Sequence, residues 1–193
     1  MKSKNEIIQN LLEKQYEMQE TNHKKRPVIV DPTTTDVVER INAAMYYWNC
    51  MNAEYYEMCV ERKNLNREKM QEEYIDILHF ILSVIIFLDG MRIKDWEVDI
   101  FLSRVIDLDS LWSNVCQDWG NILNDLPYKN WKTYDFLEYH SEIDDIKLKV
   151  FLNDFLIIGE VLLNMSLEVI EEKYMEKWEI NRQRQQKGGR YEK

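Results

Sequence analysis

An all-α architecture is expected from three observations on this chain of 193 residues. Only 5 Gly and 3 Pro punctuate it, too few for the repeated turns of a sandwich, a barrel or alternating strands and helices. Glu, Lys, Leu, Met and Gln, which lose little side-chain freedom in a helix, are abundant. Apolar residues recur at helical spacing between stretches rich in capping residues. With 45% hydrophobic residues the chain has enough apolar surface for one core, so 1–193 reads as a single domain.

The first helix is expected from about Asn5 to Glu20, with Ile8, Leu11 and Leu12 on one face and Gln15 and Gln19 continuing that face inward. Pro27 and Pro32 break the helical pattern. Asp36 followed by Glu39 resembles a capping box and opens a long helix to about Arg62. Asn64 to Asn66 form a turn. A third helix runs from about Arg67 to Leu88 and stops at Asp89-Gly90, where Gly accommodates a left-handed backbone. Residues 92–163 are assigned by helical pattern alone. They comprise one or two helices between Ile93 and Asn124, a loop with aromatic anchors from Leu126 to His140, and a helix capped by Ser141 and Asp144 that reaches about Leu163. After Asn164-Met165-Ser166 a last helix runs to about Gln186, ended by Gly188-Gly189, with 187–193 as a flexible tail.

Bulk properties remove several classes of function. Cys50, Cys59 and Cys116 are odd in number and lack CxxC spacing, which argues against a disulfide framework or zinc and for a reducing, cytoplasmic setting. The longest apolar run, Phe80 to Leu88, is far short of the ~20 residues that span a bilayer, and the amphipathic N-terminal segment lacks a signal-peptide apolar region. Neither export nor membrane insertion is expected. A net charge of −10 opposes nucleic-acid binding, which needs a broad basic surface. The charge is uneven: Lys173 to Lys193 holds seven Lys/Arg against three Asp/Glu, a net +4 that leaves −14 on the rest. An acidic body with a basic tail suits a polyphosphate bridged by a metal ion; a solvated charged tail is the plainer reading.

Two constellations carry chemistry. Glu54 and Glu57 lie three residues apart on the second helix, and Glu73 and Asp76 repeat the spacing on the third, so each pair shares a face. Antiparallel helices joined by a short turn bring the pairs together into the all-oxygen setting that magnesium prefers. Taken alone, Glu54 and Glu57 also fit a solvated acidic face. Glu73 and Asp76 stand beside an almost wholly apolar stretch, where charge is costly without a cation; their structural alternative is a buried salt bridge to a Lys or Arg. His79 reads as a core histidine rather than a ligand of a hard ion. On the last helix Tyr174, Lys177, Asn181, Arg184 and Gln185 fall on one face, combining the groups that recognise polyphosphate oxygens. The alternative is an exposed helix whose cations complement its dipole.

Both constellations, in this order, resemble the all-α dUTPases, the dimeric dUTP diphosphatases of phages, some bacteria and trypanosomatids, within the MazG-like NTP pyrophosphohydrolase superfamily. Glu54, Glu57, Glu73 and Asp76 match the superfamily's Glu-x-x-Glu and Glu-x-x-Asp pairs, and YMEKWEINRQRQQKGGRY is similar to the terminal Tyr-x-x-Lys, Asn, Arg-Gln motif. The resemblance implies a helical bundle that hydrolyses dUTP to dUMP and pyrophosphate, with dUDP as a second substrate. It implies that Glu54, Glu57, Glu73 and Asp76 hold Mg2+, with Mn2+ as a substitute, and that Glu54 or Glu57 orients the attacking water. Lys177, Asn181 and Arg184 are implied to contact phosphates, and Gln15, Phe80 and Tyr174 the nucleoside. A homodimer is implied, and the apolar Tyr- and Trp-rich stretch Ala44 to Tyr56 fits one, although aromatic stripes also form cores. Met18 stands where the family commonly has a polar partner for the base. Two rival readings follow: a MazG-like pyrophosphohydrolase of different or broad base specificity, and a non-catalytic helical interaction protein.

Overall fold

The computed structural model describes residues 2–26, 29–89, 91–97, 107–126 and 144–186, and every regular element among them is helical. The helices are α1 (Lys4–Lys25), α2 (Val37–Lys63), α3 (Arg67–Asp89), α4 (Leu108–Asp125), α5 (Asp145–Ile157) and α6 (Leu167–Gln186). A π-helical turn, Ile158–Leu162, continues α5. Among the described residues no single helix is long and apolar enough to cross a membrane.

Local chemistry explains most boundaries. Ser3 and Glu6 form a full capping box at the start of α1: the Ser3 hydroxyl accepts from the Glu6 amide and the Glu6 carboxylate from the Ser3 amide. The helix continues past the expected Glu20, and its last turn carries His23, Lys24 and Lys25, whose charge complements the negative helix end. Asp36 caps α2 as expected, accepting from the amides of Val38 and Glu39 at 2.8 and 3.1 Å. Glu39 does not close a capping box; its carboxylate accepts from the Thr34 hydroxyl at 2.7 Å instead. The α2–α3 connection turns at Leu65, which adopts a left-handed backbone at φ 56°.

Among the described residues of 92–163, α4 is the helix that precedes α5. Asp144 caps α5 as expected, accepting from the Ile146 amide at 2.9 Å. The expected helix to Leu163 changes pitch after Ile157. At that point Gly159 faces Tyr74, and a Cβ there would lie 2.6 Å from the Tyr74 Cζ and hydroxyl. The missing side chain lets the buried Tyr74 ring stack on Phe155, centroids 4.5 Å apart. Pro27, Gly90, residues 98–106, the 127–140 loop, Ser141 and the 187–193 tail with Gly188-Gly189 lie outside the described residues.

α3 is the axis of the bundle. From Ile77 onward it is buried on all sides except at Phe80, because α1, α2, α5 and α6 all pack against it. Its C-terminal carbonyls need partners in this apolar setting, and Arg40 of α2 provides them, donating to the Phe87 and Leu88 carbonyls at 2.7 Å. α2 and α3 form an antiparallel hairpin with the most extensive helix contact among the described residues. The aromatic stripe of α2 is largely consumed within the chain. Trp48 stacks on Trp119 at 4.8 Å and Tyr55 on Trp112 at 3.9 Å, which docks α4, while Tyr47 stacks on Phe87.

Candidate active site

The α2–α3 hairpin sets Glu54, Glu57 and Glu73 so close that a carboxylate oxygen from each lies within 4.8 Å of the others. Helical spacing puts two of them on one face of α2, and the short turn at Leu65 aligns that face with the start of α3. Burial first, then the negative charges of Asp76, Glu57 and Glu54, raise the Glu73 carboxyl to about 7. Burial and the negative charges of Asp76 and Glu57 raise Glu54 as well. Three hard oxygen donors under mutual repulsion fit a divalent cation such as magnesium, which would relieve that repulsion.

Asp76 stands apart from this trio. Its carboxylate accepts from the Lys177 ammonium of α6 at 2.7 Å, so the salt bridge weighed as the alternative for this residue is the arrangement present. Burial raises the Asp76 carboxyl, and the Lys177 contact opposes the rise. Of the four carboxylates, three thus form a group and the fourth is paired to a cation.

Asp76 also lines a cleft of about 630 Å³ between α1, α3 and α6. Gln15, Phe80, Asn181 and Arg184, four of the residues expected at a nucleotide, all line it. Arg184 is exposed at the cleft, and Asn181 is half-buried. Phe80 is half-buried and stacks on Tyr47, centroids 6.2 Å apart. Lys177 is not in the wall but reaches it through Asp76.

Tyr174 differs from expectation. The side chain is fully buried and does not line the cleft; its hydroxyl donates to the Gln15 carbonyl oxygen at 2.7 Å. The reason is its place on α6 where that helix packs on α1 and α3, so the ring is covered by His79, stacked at 4.1 Å. Its hydroxyl therefore reaches the cleft only by way of Gln15.

Several cleft residues went unread in the sequence. Asn22 and Arg26 continue the inward face of Gln15 and Gln19 at helical spacing and extend its polar stripe along α1, a signal that was available. Lys25 and Arg26 add cations to the wall. His79, expected in the core, and Ser83, at helical spacing from Asp76 and Phe80, also line it. Met18 is in the wall beside Gln185, whose amide contacts its sulfur at 2.9 Å.

Comparison with known proteins bears on the chemistry of this cleft. No curated protein and no solved structure gives a significant match to the chain. Residues 7–189 match the family model described as dUTPase. That span takes in the hairpin that gathers the carboxylates, nearly all of α1 and the whole of α6. A match of this extent, over every element that builds the cleft, means that the chain belongs to the all-α dUTPase family and is a dUTP-hydrolysing enzyme.

Proposed function

We propose that the enzyme is magnesium-dependent and converts dUTP to dUMP and pyrophosphate, accepting dUDP as well, with Glu54, Glu57, Glu73 and Asp76 as the metal-holding set. The observation that carries this reading is the continuity of the two halves: Asp76 lines the nucleotide-sized cleft while its charge presses on the Glu54 and Glu73 carboxyls beside it. Magnesium, or manganese in its place, supplies charge neutralisation and Lewis acidity at the phosphoryl group when bound. Glu54 or Glu57 orients the attacking water and takes up its proton. Arg184 and Asn181 meet the phosphate oxygens from the cleft wall, and Lys177 serves the same chain of phosphates from its place on Asp76. Gln15 and Phe80 face the nucleoside.

Pyrophosphate release from dUTP, dCTP and purine triphosphates, with and without magnesium, tests the reading. Turnover confined to dUTP and dependent on magnesium is expected. Equal rates across the panel would favour the broad-specificity alternative that Met18 raises, and full activity in chelator would remove the metal.

The enzyme is also proposed to act as a homodimer. Once Trp48 and Tyr55 are paired within the chain, Tyr46 and Tyr56 remain 62% and 71% exposed, and they share an outer face of α2 with Ala53 and Val60, bordered by the exposed Glu57. Light scattering is expected to give the mass of two chains; the mass of one chain at micromolar concentration would count against the dimer.

A further inference from the structure

Behind the cleft lies a buried hydrogen-bond network whose polarity can be read without seeing a hydrogen. Ser83 Oγ sits 2.8 Å from the His79 carbonyl one turn earlier on α3. A carbonyl only accepts, so the single hydroxyl hydrogen of Ser83 is committed to it. The Ser83 oxygen is then left as an acceptor. Two amides reach it at 2.8 Å, those of Gln15 and Gln19, and each must present its nitrogen.

The rest of the network follows from that choice. With Nε2 of Gln15 on Ser83, its Oε1 faces Tyr174 Oη at 2.7 Å and His79 Nδ1 at 2.8 Å, so both must donate. The groups are in the right state to do so. Burial raises the Tyr174 phenol well above its usual range, which keeps its proton, and lowers the His79 imidazole to about 3, which keeps it neutral. The proton of that neutral ring is then on Nδ1. Gln19 is set the same way, its Oε1 accepting from the Tyr47 hydroxyl at 2.7 Å.

The carbonyl oxygen of Gln15 is thus doubly occupied, and its nitrogen has spent one hydrogen on Ser83. What Gln15 retains for the cleft is one N–H. We propose that Ser83, Tyr174 and His79 are positioning residues that lock Gln15 as a hydrogen-bond donor toward the base, so that the cleft accepts a pyrimidine with a carbonyl at C4 and rejects one with an amine there. This rests on the reading that the cleft takes the base of dUTP. A locked donor meets the uracil oxygen favourably and faces the amino group of cytosine donor to donor. Such a mismatch leaves polar groups unpaired in a closed site, the situation in which enzymes discriminate most strongly. A free Gln would flip its amide and serve either base.

Gln15→Glu keeps the shape and the oxygen held by Tyr174 and His79 but replaces the donor with an acceptor. The ratio of kcat/KM for dUTP over dCTP is expected to fall at least about a hundredfold, with dCTP turnover gained in absolute terms. Tyr174→Phe removes one of the two donors that hold the oxygen. It is expected to lower the same ratio about tenfold, mainly through KM for dUTP, while the melting temperature of the variant reports on packing separately. A purely structural role for Tyr174 would slow both nucleotides equally. A ratio unchanged in both variants, with the native enzyme still selective for dUTP, overturns the locked donor and leaves the base reading standing. A native enzyme that hydrolyses dUTP and dCTP equally overturns both.

Discussion

Glu73→Gln is expected to cut dUTP hydrolysis by at least about a hundredfold while leaving the fold more stable than the parent at neutral pH. Loss of activity follows from the position of Glu73 as the meeting point of the site: its oxygen lies within 4.8 Å of ligand atoms on both Glu54 and Glu57, and it is the member of α3 that completes the trio. An amide of the same shape offers one weaker oxygen donor and no negative charge to a cation. The gain in stability follows from the same crowding. Burial and three neighbouring carboxylates disfavour the ionised form of Glu73, so a neutral isostere removes a repulsion that the metal-free fold tolerates only for function. Thermal melts without metal, set beside pyrophosphate release with magnesium, check both halves. Activity within about twofold of the parent would remove Glu73 from the site.

Magnesium is expected to raise the melting temperature by several degrees at pH 8 and by much less at pH 5.5. The Glu73 carboxyl lies at about 7 in the folded chain against 4.5 for an ordinary glutamate, so the folded state binds this proton more tightly than the unfolded state does. For a raised carboxyl the contribution to stability is fully present below about 4.5 and is lost as pH rises through about 7. Glu54, also raised, adds in the same direction. Metal-free protein is therefore expected to lose melting temperature across that window. A divalent cation needs the deprotonated carboxylates, so its binding competes with the proton and strengthens as pH rises. At a concentration a hundredfold above Kd a ligand stabilises by about 2.7 kcal/mol. For a chain of this size that is roughly 5–10 °C. Calorimetry at the two pH values, with Glu73→Gln as the control that flattens the difference, measures it. An equal magnesium shift at both pH values would show that proton and metal do not share the trio.

The helices and the acidic pairs were legible because their signals are local. Asp36 and Asp144 cap the helices that follow them, and the three-residue spacing of Glu54 and Glu57 places both carboxylates on one face wherever α2 ends up. The turn after Lys63 is short enough that α2 and α3 have little choice but to pair, so the meeting of Glu54, Glu57 and Glu73 was readable too. Even the inward direction of Gln15 and Gln19 was visible from the period of α1.

Partnerships across the chain were not legible, because they depend on which faces pack together and not on spacing along one helix. Asp76 read as either a metal ligand or one half of a salt bridge; the docking of α6 against α3 brings Lys177, 101 residues away, to 2.7 Å and forms the salt bridge. Tyr174 shares a helical face with Arg184, yet sits one helix layer deeper, where it serves Gln15. Trp48 and Tyr55 read equally well as a dimer face until α4 supplies Trp119 and Trp112 to stack on them. The polarity of the buried amides was the least accessible of all. A glutamine carries a donor and an acceptor of nearly the same shape, and its orientation is settled here by a serine 68 residues distant whose only hydrogen is already committed to its own helix.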